Sequence, residues 1–308
     1  MSEPLYILGA GSLGLLWAAR CARAGIDCRL ILRNPQALAD WRRQGSRVLL
    51  QEQGRVSAIA VPGELATTSQ QPIHSLVVAT KAWATVEALE GLATRLREHS
   101  QILLLQNGLG SQQAASQRFP AQRVLYASVT DGAWKRTANH VVWAGTGQTL
   151  IGDPDQQPAP AWLEQLTRAG IDWQWQTDIL SVLWLKLAIN CAINPFSGLY
   201  DCPNGEVPAH AGAAFEPLLS ELHALLVSQN ISLSRAELEQ RVLGVIHATA
   251  ANSSSMRQDL HAGRRTEIDF ILGYSYRSAR QAGLTTPALD LLYHRLQTRL
   301  AELGLPQN

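Results

Sequence analysis

The stretch "LYILGAGSLG", residues 5–14, decides the fold of the first half of the chain. An apolar run typical of a buried strand leads into three glycines in G-x-G-x-x-G order, and an amphipathic helical pattern follows. Gly9 permits a tight turn, Gly11 lets the backbone approach a pyrophosphate, and Gly14 allows close packing of helix on strand. A purely structural glycine turn is the alternative, but the order strand, motif, helix favours a dinucleotide-binding loop. The predicted contacts of that loop are Gly9, Ala10, Gly11, Ser12, Leu13 and Gly14.

Strand-like and helical patterns alternate after this loop. Helical patterns occupy residues 13–25, 35–45, 83–96 and 110–119, with apolar runs between them, which predicts a parallel sheet of the doubly wound Rossmann type. Residues 124–136 and 140–153 lack helical spacing of apolar residues, which predicts added antiparallel or mixed strands. From about residue 178 every pattern is helical. We therefore expect an α/β dinucleotide-binding domain over residues 1–177, an all-α substrate and catalytic domain over residues 178–308, and a cleft between them.

Composition narrows the class of partner. The chain has 308 residues, 46% hydrophobic and 17% charged, with a net charge of +1. That balance argues against a nucleic-acid or acidic-membrane surface and favours a small-molecule partner. The four cysteines form no C-x-x-C pair, and we find neither a signal peptide nor a run typical of a membrane span, so a cytoplasmic location is expected. The histidines show no metal-ligand spacing, so no metal is expected.

The end of the second strand bears on the choice of nicotinamide cofactor. In "CRLILRNP" the strand ends in Arg33, where an NAD enzyme is expected to place an acidic residue. A guanidinium suits a 2′-phosphate, so the pattern favours NADP, with an ordinary surface arginine as the alternative. Lys81 and Asn107 follow later strands and are predicted to face the same ligand, although either could be only a turn residue.

A second stretch, "LWLKLAINCAINP" at residues 183–195, predicts the chemistry. On a helix Lys186, Asn190 and Asn194 are spaced i, i+4, i+8 and form one polar stripe in an apolar segment. A solvated helix face is the alternative, but asparagine is a poor helix former and the chain has only three lysines. A lysine buried in apolar surroundings has its pKa lowered toward neutrality and can donate a proton to a ketone during hydride reduction. The amides would hold hydroxyl and carboxylate groups without adding charge.

The whole pattern resembles the ketopantoate reductase family. The resemblance rests on "GAGSLG", "LRNP", "TKAW", "QNGLG", "WLKLAINCAINPFSGLYDCPNGE" and "NSSSMRQDLHAGRRTEID", in that order between residue 5 and about residue 272. It implies NADPH-dependent reduction of 2-dehydropantoate to (R)-pantoate, in pantothenate and coenzyme A biosynthesis. Lys186 would be the proton donor.

The resemblance also implies roles for residues outside the two stretches. It implies that Glu267 is an acidic residue near the cofactor and the lysine. The alternative is a carboxylate that only stabilises a helix N-terminus. The resemblance makes Ala133 a cofactor contact, on a segment whose Asp131 and Trp134 depart from the Thr- or His-rich sequence expected there. The implied substrate contacts are Asn107, Asn190, Asn194, Asn204 and Ser255, with Ser253 or Ser254 as alternatives to Ser255, and the implied cofactor contacts include Lys81, Asn107 and Glu267.

Two other functions fit parts of the sequence. One is a reductase of the same architecture acting on another 2-keto or 3-hydroxy acid; a phosphorylated substrate would need added Arg or Lys residues in the helical half. The other is a redox sensor that binds NADPH without turnover, which would have no use for a proton donor flanked by amides. The oligomeric state, monomer or homodimer, is left open by the sequence.

Overall fold

The computed structural model describes residues 3–308, and these form two compact units. Unit one runs to Gln106 and from Ser111 to Leu180, and unit two comprises Asn107–Gly110 and Ser181–Asn308. The division differs from a single boundary after residue 177, because the short segment Asn107–Gly110 packs with the helical residues. The predicted class is confirmed: strands and helices in the first half, helices in the second.

Unit one contains all the strands of the described residues. In chain order they are β1 Leu5–Leu8, β2 Cys28–Leu32, β3 Arg47–Glu52, β4 Arg55–Ala60, β5 Gly63–Leu65, β6 Ile73–Val78, β7 Leu96–Leu104, β8 Arg123–Val129, β9 Gly132–Thr137, β10 His140–Gly145, β11 Thr149–Gly152 and β12 Trp173–Trp175. Eight of them form one sheet in the order β12-β11-β8-β7-β6-β1-β2-β5. Its pairs are parallel except β8 with β11, so the sheet is mixed.

The second sheet was not predicted. It has the order β4-β3-β10-β9, and β3 and β10, which are far apart in sequence, pair in parallel. Its strand β4 is exposed along almost its whole length and has no buried face to set a period of two, so its sequence carries little strand signal. Strands β8 and β11 extend the main sheet, as expected of added strands.

The helices of unit one are α1 Ser12–Arg23, α2 Pro35–Arg43, α3 Thr85–Glu90, α4 Ser111–Arg118 and α5 Glu164–Arg168. The helix predicted over residues 83–96 is wrong in its second half. α3 stops at Gly91, and Leu96 already begins β7. Glycine costs about 1 kcal/mol relative to alanine within a helix, which favours an end at this point.

Unit two is helical throughout. Its helices are α6 Ile179–Tyr200, whose first two residues belong to unit one, α7 Val207–Ala211, α8 Phe215–Ser228, α9 Arg235–Ala248, α10 Ser255–His261, α11 Tyr274–Gln281 and α12 Pro287–Glu302. A π-helical turn, Asp269–Gly273, leads directly into α11. α12 packs on α8 through buried leucines of both helices.

Helix α6 is the one element of residues 3–308 long and apolar enough to cross a membrane by length and composition. Our sequence analysis found no such run. Its 18-residue window has a mean hydropathy of 1.5, yet 61% of that window is buried inside the fold. A buried core helix passes the same test, so this property alone is weak evidence for a membrane span.

Candidate active site

The glycine loop of unit one has a backbone that only glycine accommodates. Gly9 follows β1 with φ +106°, a conformation that strains any residue with a Cβ. A Cβ added at Gly14 would overlap the carbonyl oxygen of Gly9, and one added at Gly9 would lie 3.1 Å from the backbone of Ala79. The loop therefore packs directly against the chain leaving β6, and Gly9 and Gly14 are sterically required.

The loop opens onto the N-terminus of α1. Gly11 is the N-cap residue and has no side chain that could cap the helix, so its place leaves the first-turn N–H groups open to a ligand. Such a terminus carries partial positive charge and binds anions. The bare backbone and the glycine cradle fit the pyrophosphate of a dinucleotide.

The other predicted cofactor residues also lie in unit one. Arg33 is exposed and directly follows β2, one residue before Asn34 caps α2. Lys81 is half-buried and follows Ala79 and Thr80, whose backbones border Gly9. Ala133 lies on β9 of the second sheet and packs against the core.

Asp131, which departs from the family pattern, takes part in a buried ion pair and in hydrogen bonds. Its carboxylate is 3.6 Å from the guanidinium of Arg20 on α1, and both side chains are buried, at 1% and 2% exposure. The same carboxylate accepts hydrogen bonds from Trp143 Nε1 and the Gly147 amide. Arg20 lies over the Trp143 ring, 4.3 Å from its centroid. These contacts join β9 and β10 to α1.

The stripe on α6 is not an exposed face. Lys186 and Asn190 are half-buried, and Asn194 is only 8% exposed. Burial lowers the pKa of Lys186 to about 8, although the charge of Glu267 opposes the shift. An amine with a pKa of about 8 can exchange its proton near neutral pH. The solvated-face alternative therefore does not describe this helix.

Glu267 is buried, with 5% of its surface exposed, and it precedes the π-helical turn. Its main-chain carbonyl accepts the amides of Phe270 and Ile271. A buried carboxylate that favours the charged form of Lys186 forms an electrostatic pair with it. The structure thus brings together the two residues predicted to be catalytic.

Asn107 joins unit two through a backbone contact. The amide of Leu109 donates to the carbonyl of Phe270 at 2.8 Å, and a Cβ at Gly108, which has φ +78°, would overlap that same carbonyl. The segment Asn107–Gly110 is therefore held against the π-helical turn. Asn107 is half-buried there, two residues before Leu109.

Asn204 has a buried side-chain amide whose nitrogen is hydrogen-bonded and whose oxygen is not. Its Nδ2 donates to Thr249 Oγ1 at 3.0 Å, and the side chain is 8% exposed. Within residues 3–308 its Oδ1 has no hydrogen-bond partner. Buried acceptors of this kind are costly in proteins, and a ligand donor would satisfy it.

The three consecutive serines have different environments. Ser254 is buried, caps α10 by accepting the Arg257 amide, and shares a 2.5 Å hydrogen bond with Ser197. Ser253 is half-buried, and Ser255, the first residue of α10, is exposed. The hydroxyl of Ser254 is thus already engaged within the fold, whereas that of Ser255 is accessible.

Lys135 is a residue that the sequence analysis did not select. Its Nζ donates to the carbonyl of Ala10, inside the glycine loop, at 2.9 Å. Two signals could have indicated it: it is one of three lysines in the chain, and it lies two residues after Ala133 on a strand, hence on the same face.

Comparison with known proteins agrees with this arrangement. The family "Ketopantoate reductase PanE/ApbA" matches residues 5–156, and its C-terminal counterpart matches residues 178–299. A 2-dehydropantoate 2-reductase of Vibrio cholerae is 34% identical over 302 residues, covering 96% of this chain and 97% of the relative.

Two solved structures share the fold. A PanE/ApbA family ketopantoate reductase from Ralstonia eutropha JMP134 has a TM-score of 0.87 at 24% identity, over 98% of this chain and 100% of that one. A D-mandelate dehydrogenase solved with NADH has a TM-score of 0.90 at 19% identity, over the same shares of the two chains. With family matches over both halves and a relative 34% identical along nearly its whole length, this chain belongs to the ketopantoate reductase family.

Proposed function

We propose that this chain catalyses the NADPH-dependent reduction of 2-dehydropantoate to (R)-pantoate, a step of pantothenate and coenzyme A biosynthesis. The observation that carries the proposal is the half-buried Lys186, whose pKa is lowered to about 8 beside the buried Glu267. Relatives named 2-dehydropantoate 2-reductase that match nearly the whole chain support the choice of substrate.

The cofactor would be held by unit one. The nicotinamide, when bound, supplies a hydride to the keto carbon. The loop from Gly9 to Gly14 would hold the pyrophosphate, and exposed Arg33 would pair with a 2′-phosphate, which favours NADPH over NADH. Lys81, Asn107, Ala133 and Glu267 are the further cofactor contacts that the family resemblance implies.

Lys186 would donate the proton. Its ammonium form would donate a proton to the keto oxygen as negative charge develops there, so that this oxygen becomes the hydroxyl of the product and the amine becomes neutral. A proton from water then restores the ammonium. The Glu267 carboxylate keeps part of the lysine population charged despite burial, which is the form the reduction needs.

The neutral polar residues of unit two would hold the substrate. Amides on α6, at Asn190 and Asn194, can donate to a carboxylate and accept from a hydroxyl. The unused Oδ1 of Asn204 would accept from a substrate hydroxyl, and the exposed hydroxyl of Ser255 would donate to the carboxylate. Correct orientation of the ketone accounts for a large part of the rate in such reactions.

The direct test is a rate assay with a panel of 2-keto acids. Oxidation of NADPH would be followed by its absorbance with 2-dehydropantoate, 2-ketoisovalerate, pyruvate and phenylglyoxylate, the last because a D-mandelate dehydrogenase shares the fold. We expect the largest kcat/KM with 2-dehydropantoate and loss of turnover in Lys186→Ala. A larger kcat/KM for another member of the panel would identify that acid as the better substrate. Tight NADPH binding without turnover would indicate a redox sensor.

The same proposal places the reaction in the cytosol. All four cysteines are free and buried, which suits a reducing compartment, and the partners are small molecules. Fractionation of cells producing the chain should recover it with the soluble protein. Recovery with the membrane fraction would point instead to insertion of the apolar helix α6.

A further inference from the structure

The π-helical turn Asp269–Gly273 begins two residues after Glu267 and leads into α11. The main-chain carbonyl of Glu267 accepts the amides of Phe270 and Ile271, at 3.1 Å each, so the residue with the buried carboxylate is bonded into the turn. Turns of this kind are rare and are frequent at functional sites. The placement of the Glu267 side chain therefore depends on how the turn is held.

On its buried side the turn is bound to α6, the helix that carries Lys186. Cys191 of α6 is buried, and its thiol lies 3.7 Å from the carbonyl oxygen of Ile271 and 3.3 Å from the hydroxyl of Ser275. That hydroxyl donates to the same Ile271 carbonyl at 2.9 Å. The turn and the helix of the lysine are thus packed together within unit two.

On its more exposed side the turn is held through Asp269, its first residue. Arg277 of α11 donates from Nη1 to Oδ1 at 2.6 Å and from Nη2 to Oδ2 at 3.3 Å, and Nη2 also donates to the Asp269 main-chain carbonyl at 3.0 Å. The hydroxyl of Tyr293, on α12, donates to Oδ1 at 3.2 Å. Burial, and then the Asp269 charge, raise the pKa of Tyr293, which keeps it a donor. These three side chains are the Asp269 network.

Gly273, the last residue of the turn, leaves room for the Asp269 network. A Cβ added there would lie 2.5 Å from Oδ1 of Asp269, 3.0 Å from the Tyr293 hydroxyl and 3.1 Å from Nη1 of Arg277. The backbone of Gly273 is helical, with φ −61° and ψ −40°, so alanine would suit the main chain. Its methyl group would displace the network without removing any member of it.

We propose that Asp269 is a positioning residue, which places the Glu267 carboxylate where it acts on Lys186. The contacts of Asp269 with α11 and α12 fix the start of the turn, and the turn fixes Glu267. The inference rests on the proposed function for the catalytic use of the lysine, whereas the electrostatic pair belongs to the fold.

The test measures the pKa of Lys186 without turnover. Acetic anhydride reacts with a neutral amine and not with an ammonium group, so the rate at which Lys186 is acetylated, followed by mass spectrometry against pH, gives its midpoint. The chain has only three lysines to resolve. We expect a midpoint of about 8 in the parent, and a lower one in Glu267→Gln because the charge that raises it is gone.

Two variants disturb the Asp269 network without changing any charge, namely Gly273→Ala and Tyr293→Phe. Both should move the Lys186 midpoint to lower pH. For Gly273→Ala we expect about 0.5 pH unit, as part of the roughly one unit or more that a neighbouring opposite charge contributes. The midpoint of the kcat/KM profile with 2-dehydropantoate should move by the same amount. Tyr293→Phe decides the matter should Gly273→Ala fail to fold.

Each variant has a matched control elsewhere in unit two. Gly244→Ala adds a methyl group to α9 where nothing lies within 4 Å. Tyr276→Phe removes a hydroxyl on α11 that accepts from Arg280 and whose ring packs on that of Tyr293. Both controls should keep the parent midpoint.

A merely structural network would give a different result. Melting temperatures would fall in Gly273→Ala and Tyr293→Phe while the Lys186 midpoint stayed at the parent value, and this outcome overturns the assignment. An unchanged midpoint in Glu267→Gln also overturns it, because Glu267 would then not act on the lysine. A parent with a midpoint near 8 that does not turn over 2-dehydropantoate overturns the proposed function alone, since the acetylation rates still test the Asp269 network.

Discussion

The two units prepare for a ligand in different ways. In unit one the glycine loop is made of backbone: Gly9 and Gly14, whose added Cβ atoms would meet neighbouring main chain, and a helix start whose N-cap residue, Gly11, has no side chain. In unit two the candidate groups are side chains, namely a lysine, a carboxylate, amides and a hydroxyl, held partly or fully buried by helices. Under the proposed function, the first arrangement would recognise shape and phosphate charge, and the second would supply a proton and fix the orientation of the substrate.

This difference predicts different consequences of substitution. A backbone site fails by steric collision, which lowers stability and affinity together. A side-chain site can lose its chemistry while the fold keeps its stability, and removal of a strained or desolvated polar group can even raise stability. The predictions below test that separation.

The largest effect is expected for Lys186→Ala. Loss of a general acid should lower kcat by on the order of 10² or more, with NADPH binding nearly unchanged. Because burial already disfavours the charged lysine, its removal should not lower the melting temperature. Stopped-flow rates would measure the loss of kcat, and thermal melts would measure the melting temperature. A kcat within about threefold of the parent would mean that the proton comes from elsewhere.

Gly14→Ala should produce the opposite pattern. The new Cβ would overlap the Gly9 carbonyl oxygen, so both stability and dinucleotide affinity should fall, with about 1–3 kcal/mol lost in unfolding experiments. Gly244→Ala on α9 is the matched control, because a Cβ there meets nothing within 4 Å. That change should stabilise the helix by up to about 1 kcal/mol. Equal stability of the two variants would contradict a sterically required loop.

Arg33→Ala should alter cofactor choice more than turnover. One charge-assisted contact is worth about 1.5–3 kcal/mol, so the preference for NADPH over NADH should shrink by about ten- to a hundredfold. Titration of both cofactors into parent and variant measures this ratio, with exposed Arg42 on α2 replaced by alanine as a control. A parent that binds the two cofactors equally would show that Arg33 does not select NADPH.

The pH dependence tests the electrostatic pair of unit two. Reduction requires protonated Lys186, so kcat/KM should fall as pH rises through about 8, by about tenfold per pH unit beyond it. Because the Glu267 charge raises the lysine pKa, Glu267→Gln should move the midpoint to lower pH. The midpoints are compared by measuring kcat/KM against pH for the parent and for the variant. A midpoint that stays in place would mean that Glu267 does not act on the titrating group.

The smallest effects distinguish neighbouring serines. Ser254→Ala removes a helix cap and its bond to Ser197, so it should cost about 1 kcal/mol of stability with little change in KM. Ser255→Ala should leave stability within about 0.5 kcal/mol and raise KM for the keto acid. Chemical denaturation would measure the stability of each variant, and substrate titration would measure its KM. Reversed results would assign the substrate contact to Ser254.

The sequence by itself determined what depends on local pattern. The strand and helix on either side of residues 9–11, the helix that carries Lys186, Asn190 and Asn194, and the change from mixed to helical structure are confirmed, because strand and helix periods are properties of neighbouring residues. The burial of the α6 stripe was expected from its composition. The lowered pKa of Lys186 followed from that burial.

Only the tertiary structure decided the contacts between distant segments. It paired β3 with β10, moved residues 107–110 into the helical unit, tied Asp131 to Arg20, and set Lys135 on the Ala10 carbonyl. It also separated buried Ser254 from exposed Ser255, although the two are identical in sequence terms. The physical reason is the same in each case: periodicity states which face of an element is buried, but the partner that buries it comes from packing elsewhere in the chain.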